Sequence, residues 1–300
     1  LDNLLTGNVK NIEHLLSNGK SEITDKVTQR ILDKSRQFSK SITFTNMLID
    51  THTHIYVDAF DNDRDAAIKR AMAAGVSQLI LPAIDSKTTA IMHEVKRNYS
   101  GYVHLMMGLH PTHVGLNADE ELTHVKEQLD SHSFVAVGEI GMDLYWDKTY
   151  QSQQQEAFYR QINWALAADL PIVIHCRDAF APVFEVLEGF KDSRLRGVFH
   201  CFTGTKADAQ RALELNFYLG IGGVITFKNG KISDFLNSIP IERIVLETDS
   251  PYLAPSPYRG KRNESSYIKI IAQKVADLYK IDLDEVSNIT QKNSLDIFGN

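Results

Sequence analysis

Cysteine is scarce in this sequence, and long apolar runs are missing. The 300 residues contain two cysteines, Cys176 and Cys201, so a disulfide-stapled scaffold is excluded and a reducing, cytoplasmic location is expected. Each cysteine directly follows a histidine in an apolar run, which favours a buried, reduced thiol over a metal ligand. No run approaches the ~18 apolar residues that a membrane-spanning helix needs, so no membrane association is expected. The segment Leu1–Lys20 also lacks the apolar core of a secretory signal.

Positive charge is not in excess either. Lysine and arginine together number 32 against 38 aspartates and glutamates, which gives a formal net charge of −6. A protein surface that binds nucleic acid is usually basic, so the overall charge gives no support for such a surface. Any nucleic-acid site in this protein must therefore be a local basic patch or must use metal ions.

Residues 1–46 differ in pattern from the rest of the chain. Apolar residues recur at helical spacing in Val9–Leu16 and in Ile23–Ile31, and Ser17-Asn18-Gly19 separates the two stretches. We interpret residues 1–46 as a short helical N-terminal extension of unknown function. A second domain is expected to cover residues 47–300.

From residue 47 onward, short β-rich apolar runs alternate with helical stretches. Eight runs occur, at Leu48–His54, Gln78–Ala83, Val103–Leu109, Val135–Gly141, Pro171–Cys176, Gly197–Phe202, Phe217–Gly222 and Arg243–Asp249. The helical stretches include 64–74, 120–131, 153–168, 179–189, 206–215, 265–280 and 283–298. This alternation predicts an α/β fold with a parallel sheet, and the count and length match a (β/α)₈ TIM-type barrel. An open doubly wound sheet is the alternative, but its glycine-rich phosphate loop is absent.

The first apolar run ends in two histidines one residue apart, His52 and His54. Residues i and i+2 of a strand point to the same face, so the two imidazoles are expected to lie side by side. Neutral imidazole is the commonest protein ligand for zinc-like metals. The motif alone is too short to identify a metal site, so its interpretation depends on the residues that close the other strands.

Ionisable side chains close several of the other runs as well. They are Glu139 in the fourth run, His175 in the fifth, His200 in the sixth and Asp249 in the eighth. In a barrel, the carboxyl ends of all strands meet at one face, where active sites are built. Four histidines and two carboxylates exceed the needs of one ion and suit a site for two divalent metal ions with a bridging carboxylate. Nitrogen and oxygen donors without thiolate suit Zn, Mn, Fe or Co, and Mg less well, so the donors do not identify the metal.

Five motifs carry these residues. They are His52-Thr-His54, Gly-Glu-Ile-Gly-Met-Asp at 138–143, His175-Cys-Arg177, His-Cys-Phe-Thr-Gly at 200–204 and Glu-Thr-Asp-Ser-Pro-Tyr at 247–252. Together they resemble the TatD-related metal-dependent deoxyribonucleases of the amidohydrolase-like superfamily. The resemblance covers Met47–Asn300. It implies a TIM-type barrel, a divalent-metal centre and hydrolysis of DNA phosphodiester bonds, often as a 3′-to-5′ exonuclease.

The resemblance also implies a role for each ligand. The first metal is held by His52, His54 and Asp249, the second by His175 and His200, and Glu139 bridges both. The expected catalytic residues are Glu139 and Asp249. In this assignment Asp249 takes the proton from the attacking water as general base.

Candidate phosphate-binding residues lie at the same rim. Arg177 follows a predicted ligand by two residues, on the same side of its strand, where a guanidinium grips phosphate bidentately. His110 ends the third run and either contacts the scissile phosphate, orients a ligand or bonds only locally. Arg259, Lys261 and Arg262 form a basic cluster after the eighth run, near where barrels often bind phosphate. The alternative for this cluster is an ordinary solvated loop.

Three residues near the fourth run have two interpretations each. Asp143 either orients a histidine or Arg177, or caps its own loop. Tyr145 and Trp146 follow in that loop and either stack on nucleobases or pack on the rim.

The leading hypothesis is a metal-dependent nuclease with DNA as its substrate, monomeric and without an obligate protein partner. The first alternative is a small-molecule metallohydrolase (an amidase, lactonase or phosphotriesterase), since one site serves carbonyl and phosphoryl centres alike. Arg177 and the basic loop favour a phosphate substrate. The second alternative is a metal-stabilised binding module without turnover, and a complete ligand set with a candidate base argues against it.

Overall fold

The computed structural model describes residues 47–299 apart from 191 and 193. The helical extension predicted for residues 1–46 therefore lies outside the described residues. Eight parallel strands follow one another in chain order around a single sheet. They are β1 (Leu48–Asp50), β2 (Val76–Leu81), β3 (Val103–Met107), β4 (Ala136–Asp143), β5 (Ile172–Arg177), β6 (Gly197–Phe199), β7 (Phe217–Ile221) and β8 (Ile244–Leu246).

The ends of the sheet meet each other. The Thr51 N–H donates to the Leu246 carbonyl at 3.1 Å, and Thr53 forms a parallel bridge with Ser250. These contacts join the first strand segment to the last, so the sheet closes into the predicted TIM-type barrel.

Eight α-helices lie in the described residues, and a helix follows each of the first six strands. They are α1 (Arg64–Ala73), α2 (Thr89–Asn98), α3 (Ala118–Ser131), α4 (Gln151–Ala167), α5 (Phe180–Gly189), α6 (Lys206–Glu214), α7 (Ile268–Tyr279) and α8 (Leu283–Phe298). The connection from β7 to β8 consists of short 3₁₀ turns in place of an α-helix. None of the described helices combines the length and the apolar character needed to cross a membrane.

The barrel interior is filled by apolar side chains. One buried residue from each of seven strands contributes to a single layer: Ile49, Ile80, Met106, Ala136, Val173, Val198 and Val245. Ile297 and Phe298, at the end of α8, pack against this layer. A separate and larger apolar cluster lies between the strands and the helices. Water is thus excluded beneath the rim, which leaves the C-terminal strand ends as the place for polar chemistry.

Six strands end earlier than the sequence predicts, and in three of them the functional residues lie just beyond regular β-structure. The predicted first, sixth and eighth runs continue through His54, Phe202 and Asp249, but β1, β6 and β8 stop at residues 50, 199 and 246. Asp249 adopts a left-handed φ of 56°, and Cys201 one of 42°. The left-handed φ of Asp249 takes its side chain out of the regular strand alternation, in which successive side chains point to opposite faces.

Candidate metal centre

Glu139 lies at the middle of the site. It belongs to β4, whose residues are all buried, and only 1% of Glu139 is exposed. Its Oε1 lies 2.8 Å from His175 Nδ1 and 2.8 Å from His200 Nε2. Its Oε2 lies 3.1 Å from His52 Nε2 and 3.7 Å from His54 Nε2. Four imidazoles from three different strand ends therefore surround one carboxylate.

Asp249 approaches the same centre from the end of β8. Its Oδ1 lies 3.5 Å from His54 Nε2 and 3.9 Å from His52 Nε2. Donor atoms of these three side chains lie within 4.8 Å of one another, close enough to share one cation. The structure therefore brings all six residues of the predicted ligand set together.

His110 also reaches this centre, with its Nε2 3.4 Å from Glu139 Oε1. Its Nδ1 accepts the backbone N–H of Thr112 at 3.1 Å. Burial lowers the pKa of His110 to about 4, so the ring is neutral at pH 7. A neutral ring that accepts at Nδ1 carries its proton on Nε2, and that N–H is a donor toward the centre. We therefore interpret His110 as a hydrogen-bond donor beside the ligands.

Asp143 connects the centre to the loop that follows β4. Its Oδ2 lies 2.8 Å from His175 Nε2, while its Oδ1 accepts the backbone N–H groups of Tyr145 and Trp146 at 3.0 and 3.1 Å. With Nε2–H donated to Asp143, the lone pair of His175 Nδ1 points toward Glu139. Asp143 thus performs both of the roles that the sequence analysis considered, since it orients a histidine and caps its loop.

Sequence reasoning gave no role to Glu247, although it lies in the same motif as Asp249. Its Oε1 accepts the Cys201 N–H at 2.5 Å and lies 3.3 Å from His200 Nδ1. The carboxylate is fully buried and occupies space left by Gly220, where a Cβ would lie 2.3 Å from Glu247 Oε2. The available signal was the spacing: Glu247 is two residues before a predicted ligand, on an apolar strand.

The electrostatics of the centre are those of a charged, water-poor cluster. Burial raises the pKa of Glu139, but the charges of His200, His110 and His52 outweigh it and lower that pKa well below its usual value. Burial and the neighbouring His200 lower the pKa of His52. Burial lowers the pKa of His200, yet Glu139 and Glu247 raise it well above its ordinary value. The Glu139 carboxylate is therefore ionised, and its charge favours the protonated form of the His200 ring.

The donor set fits a divalent cation. His52 Nδ1, His200 Nδ1 and Glu247 Oε2 are buried and have no hydrogen-bond partner among the described residues. The rings of His52 and His200 stack with centroids 3.9 Å apart, an arrangement in which two protonated rings repel each other. A divalent cation bound by neutral imidazole nitrogens and carboxylate oxygens would take the place of protons on these rings, and the donors match those that Zn, Mn, Fe and Co prefer.

A cavity of about 530 Å³ opens over the centre. Five of the six predicted ligands line it, all but His52, together with Arg177, His110 and Trp146. The guanidinium of Arg177 thus shares one space with the predicted metal ligands. This is the position that binding of a phosphate group at the centre requires.

The predicted basic cluster after β8 lies elsewhere. None of Arg259, Lys261 and Arg262 lines this cavity. The guanidinium of Arg262 bonds Asp63 at 2.6 Å and Glu264 at 3.0 Å, and that of Arg259 lies 4.2 Å from the centroid of the Phe227 ring. These contacts give Arg262 a structural role in the loop, because its donors are already engaged.

The chain is similar to several known proteins. The model of the TatD related DNase family matches residues 49–299. The uncharacterized metal-dependent hydrolase YabD of Bacillus subtilis (strain 168) is 37% identical over 253 residues, which cover 84% of this chain and 99% of that protein. A protein of Cronobacter turicensis named 3′-5′ ssDNA/RNA exonuclease TatD is 32% identical over 257 residues, with coverage of 84% and 97%.

A solved structure agrees with these relatives. The crystal structure of YJJV, a TatD homolog from Escherichia coli K12, matches with a TM-score of 0.80 and 29% identity, covering 84% of this chain and 98% of that one. The family match spans nearly the whole barrel, and the relatives are covered almost end to end. This chain therefore belongs to the TatD related DNase family and is a metal-dependent hydrolase.

Proposed function

We propose that this protein hydrolyses the phosphodiester bonds of DNA, removing nucleotides from the 3′ end with the help of two divalent metal ions and a water molecule. The observation that carries the proposal is a buried carboxylate, Glu139, surrounded by four imidazoles beneath an open cavity that Arg177 also lines. A relative named as a 3′-5′ ssDNA/RNA exonuclease supports the choice of substrate and polarity.

We assign the ligands to two ions. His52, His54 and Asp249 would hold one ion, His175 and His200 would hold the other, and Glu139 would serve both. When bound, the ions supply positive charge that stabilises a phosphodiester as it is hydrolysed and makes water a better nucleophile. The proposed ions belong to the set Zn, Mn, Mg, Fe and Co, among which the donors do not discriminate.

Asp249 is the proposed general base. Burial raises its pKa, but its hydrogen bond with His54 and the charges of His200 and His52 lower it overall. It is therefore an ionised carboxylate at the cavity wall at neutral pH, able to accept a proton from water. Arg177 binds a phosphate oxygen, and the His110 Nε2–H donates to another substrate oxygen or to Glu139.

Metal reloading tests the proposal. Protein stripped of metal and then reloaded with Mg²⁺, Mn²⁺ or Zn²⁺ is incubated with single-stranded and double-stranded DNA labelled at either end. We expect a metal-restored ladder that shortens from the 3′ end. Asp249→Asn should lower the rate roughly 10²–10⁴-fold, the usual contribution of a general base.

A matched pair of variants separates chemistry from folding. Glu139→Gln removes the central carboxylate, whereas Glu242→Gln makes the same change at an exposed position before β8. Only the first variant should lose activity. Intact DNA under every metal, in protein that has bound metal, would contradict the nuclease proposal and direct the next assays to lactones and small phosphate esters.

A further inference from the structure

Large side chains are exposed at the mouth of the cavity. Trp146 and Tyr145, in the loop between β4 and α4, are 69% and 53% exposed. Tyr252, after β8, is 51% exposed and lines the same cavity as Trp146. Exposed aromatic rings grouped at a polar site indicate a binding surface, since leaving them in water forgoes the free energy of burial.

The guanidinium of Arg177 packs against both loop aromatics. The guanidinium carbon lies 3.9 Å from the centroid of the Tyr145 ring and 5.2 Å from that of Trp146. The two rings meet edge to face with centroids 5.0 Å apart. Within the described residues, no carboxylate lies at ion-pair distance from Arg177. Its donors are therefore free for an anion, while its plane is fixed by stacking.

The aromatic loop is tied to the metal centre by a single carboxylate. Asp143 accepts the backbone N–H groups of Tyr145 and Trp146 with one oxygen and bonds the ring of His175 with the other. The aromatic rings, the guanidinium and the ligand therefore have a fixed spacing. A fixed distance from a stacking surface to a reaction centre is what positions one nucleotide of a strand.

We propose that the Trp146 ring, supported by Tyr145 and Arg177, forms a stacking platform for an unpaired nucleobase of the nucleotide next to the scissile phosphate. The inference rests on the proposed function and adds the residues that hold the substrate strand. A base can stack on the platform only through the flat face of the base. Inside a duplex that face is covered by the neighbouring bases, so the platform accepts unpaired bases. Arg177 reaches from the platform to the neighbouring phosphate, so one assembly recognises both parts of a nucleotide.

Fluorescence of Trp146 provides a direct test of binding. The sequence contains two tryptophans, so Trp164→Phe leaves Trp146 as the single reporter. Metal-loaded protein is titrated with a hydrolysis-resistant phosphorothioate oligothymidylate and with an abasic strand of equal length. The base-bearing strand should quench the emission to saturation, and the abasic strand should not. Equal quenching by both strands would overturn the platform.

Kinetics provide an independent test. Trp146→Ala should raise KM for single-stranded DNA roughly 5- to 160-fold, the equivalent of ~1–3 kcal/mol per stacked base, and Trp146→Phe should restore most of the loss. The control is Tyr159→Ala, which removes a 50%-exposed aromatic that packs against Phe190 outside the cavity. Equal KM values for Trp146→Ala and Tyr159→Ala would overturn the inference.

The two proposals fail separately. Base-dependent quenching without cleavage under any metal would contradict the nuclease and support the platform. Metal-dependent cleavage with unchanged KM in Trp146→Ala would support the nuclease and contradict the platform.

Discussion

Gly220 is required at the metal centre because it has no side chain. A Cβ at this position would lie 2.3 Å from Glu247 Oε2, deep in the barrel. Overpacking a core costs typically ~1–3 kcal/mol, and here the displaced group is the carboxylate beside His200. We expect Gly220→Ala to lower the unfolding temperature and to reduce the metal bound per chain, measured by thermal unfolding and elemental analysis.

The control for this change is Gly189→Ala. Gly189 ends α5, and a Cβ there meets nothing within 4 Å. Its metal content should equal that of the parent protein, and its stability should stay level or rise. Full metal loading in Gly220→Ala would show that Glu247 does not position His200.

In His110, unlike in His175, the ring nitrogen that faces Glu139 carries the proton. Since Nδ1 accepts the Thr112 N–H, we assign the proton to the Nε2 that faces Glu139, which makes His110 a poorer metal ligand than its neighbours. We expect His110→Ala to keep its metal but to lose turnover roughly 10- to 150-fold, the equivalent of ~1.5–3 kcal/mol for a hydrogen bond to a charged group. His175→Ala should lose metal as well. Equal metal loss in both variants would make His110 a ligand.

At the scale of elements, a network of four charged side chains joins the loop after β8 to helix α1. Glu264 bonds the guanidinium of Arg70 at 2.8 Å and that of Arg262 at 3.0 Å, and both arginines also bond Asp63. Burial raises the pKa of Glu264, but the hydrogen bonds from the two arginines lower it overall. The network holds the loop that carries Tyr252 and Asn263 against the barrel.

The sign of the pH dependence follows from the lowered pKa. A carboxylate with a depressed pKa contributes stability that is present above its unfolded-state pKa of ~4.3 and is lost as the pH falls through the folded value. Glu264→Gln should therefore cost about 1–2 kcal/mol at pH 7 and nothing at strongly acidic pH, so its stability curve is flatter on the acid side. Chemical unfolding across the pH range measures this.

The comparison for Glu264→Gln is Glu127→Gln on the exposed face of α3. That substitution should leave both the stability and its pH dependence unchanged. A uniform loss of stability at all pH values in Glu264→Gln would contradict an ionic role for the network.

At the scale of the whole molecule, the metal centre joins strand ends that are far apart in the sequence. Its proposed ligands extend from His52 to Asp249 and come from β4, β5 and the rims after β1, β6 and β8. A cation that binds only the folded barrel stabilises it by RT ln(1 + [L]/Kd), about 2.7 kcal/mol at 100 times Kd. We expect a strong chelator to lower the unfolding temperature of the protein, and reloading to restore it.

Two variants establish where this stabilisation originates. Glu139→Gln should show a smaller chelator-induced shift than the parent protein, while Glu242→Gln should keep the full shift. An equal shift in Glu139→Gln would place the stabilising ion somewhere else.

The barrel was predictable because each strand is an apolar run that contrasts with its amphipathic neighbours. The helix α2 was not among the stretches named from the sequence: it has only ten residues, and β-branched Thr89, Ile91 and Val95 weaken its helical signal. The helical stretches predicted elsewhere agree with the structure to within a few residues. Strand ends were predicted less well, since the rim departs from regular β-structure where the ligands turn inward.

The sequence by itself determined the fold class and the ligand types, since alternation of apolar runs and the residues that close them are local properties of the chain. Only the tertiary structure decided how those residues act. In the folded protein Glu247 lies beside His200, and His110 acts as a hydrogen-bond donor. Arg262 lies away from the cavity wall, and Trp146 lies beside Arg177. These outcomes depend on distances between residues that are remote in sequence, and such distances arise only when the barrel closes.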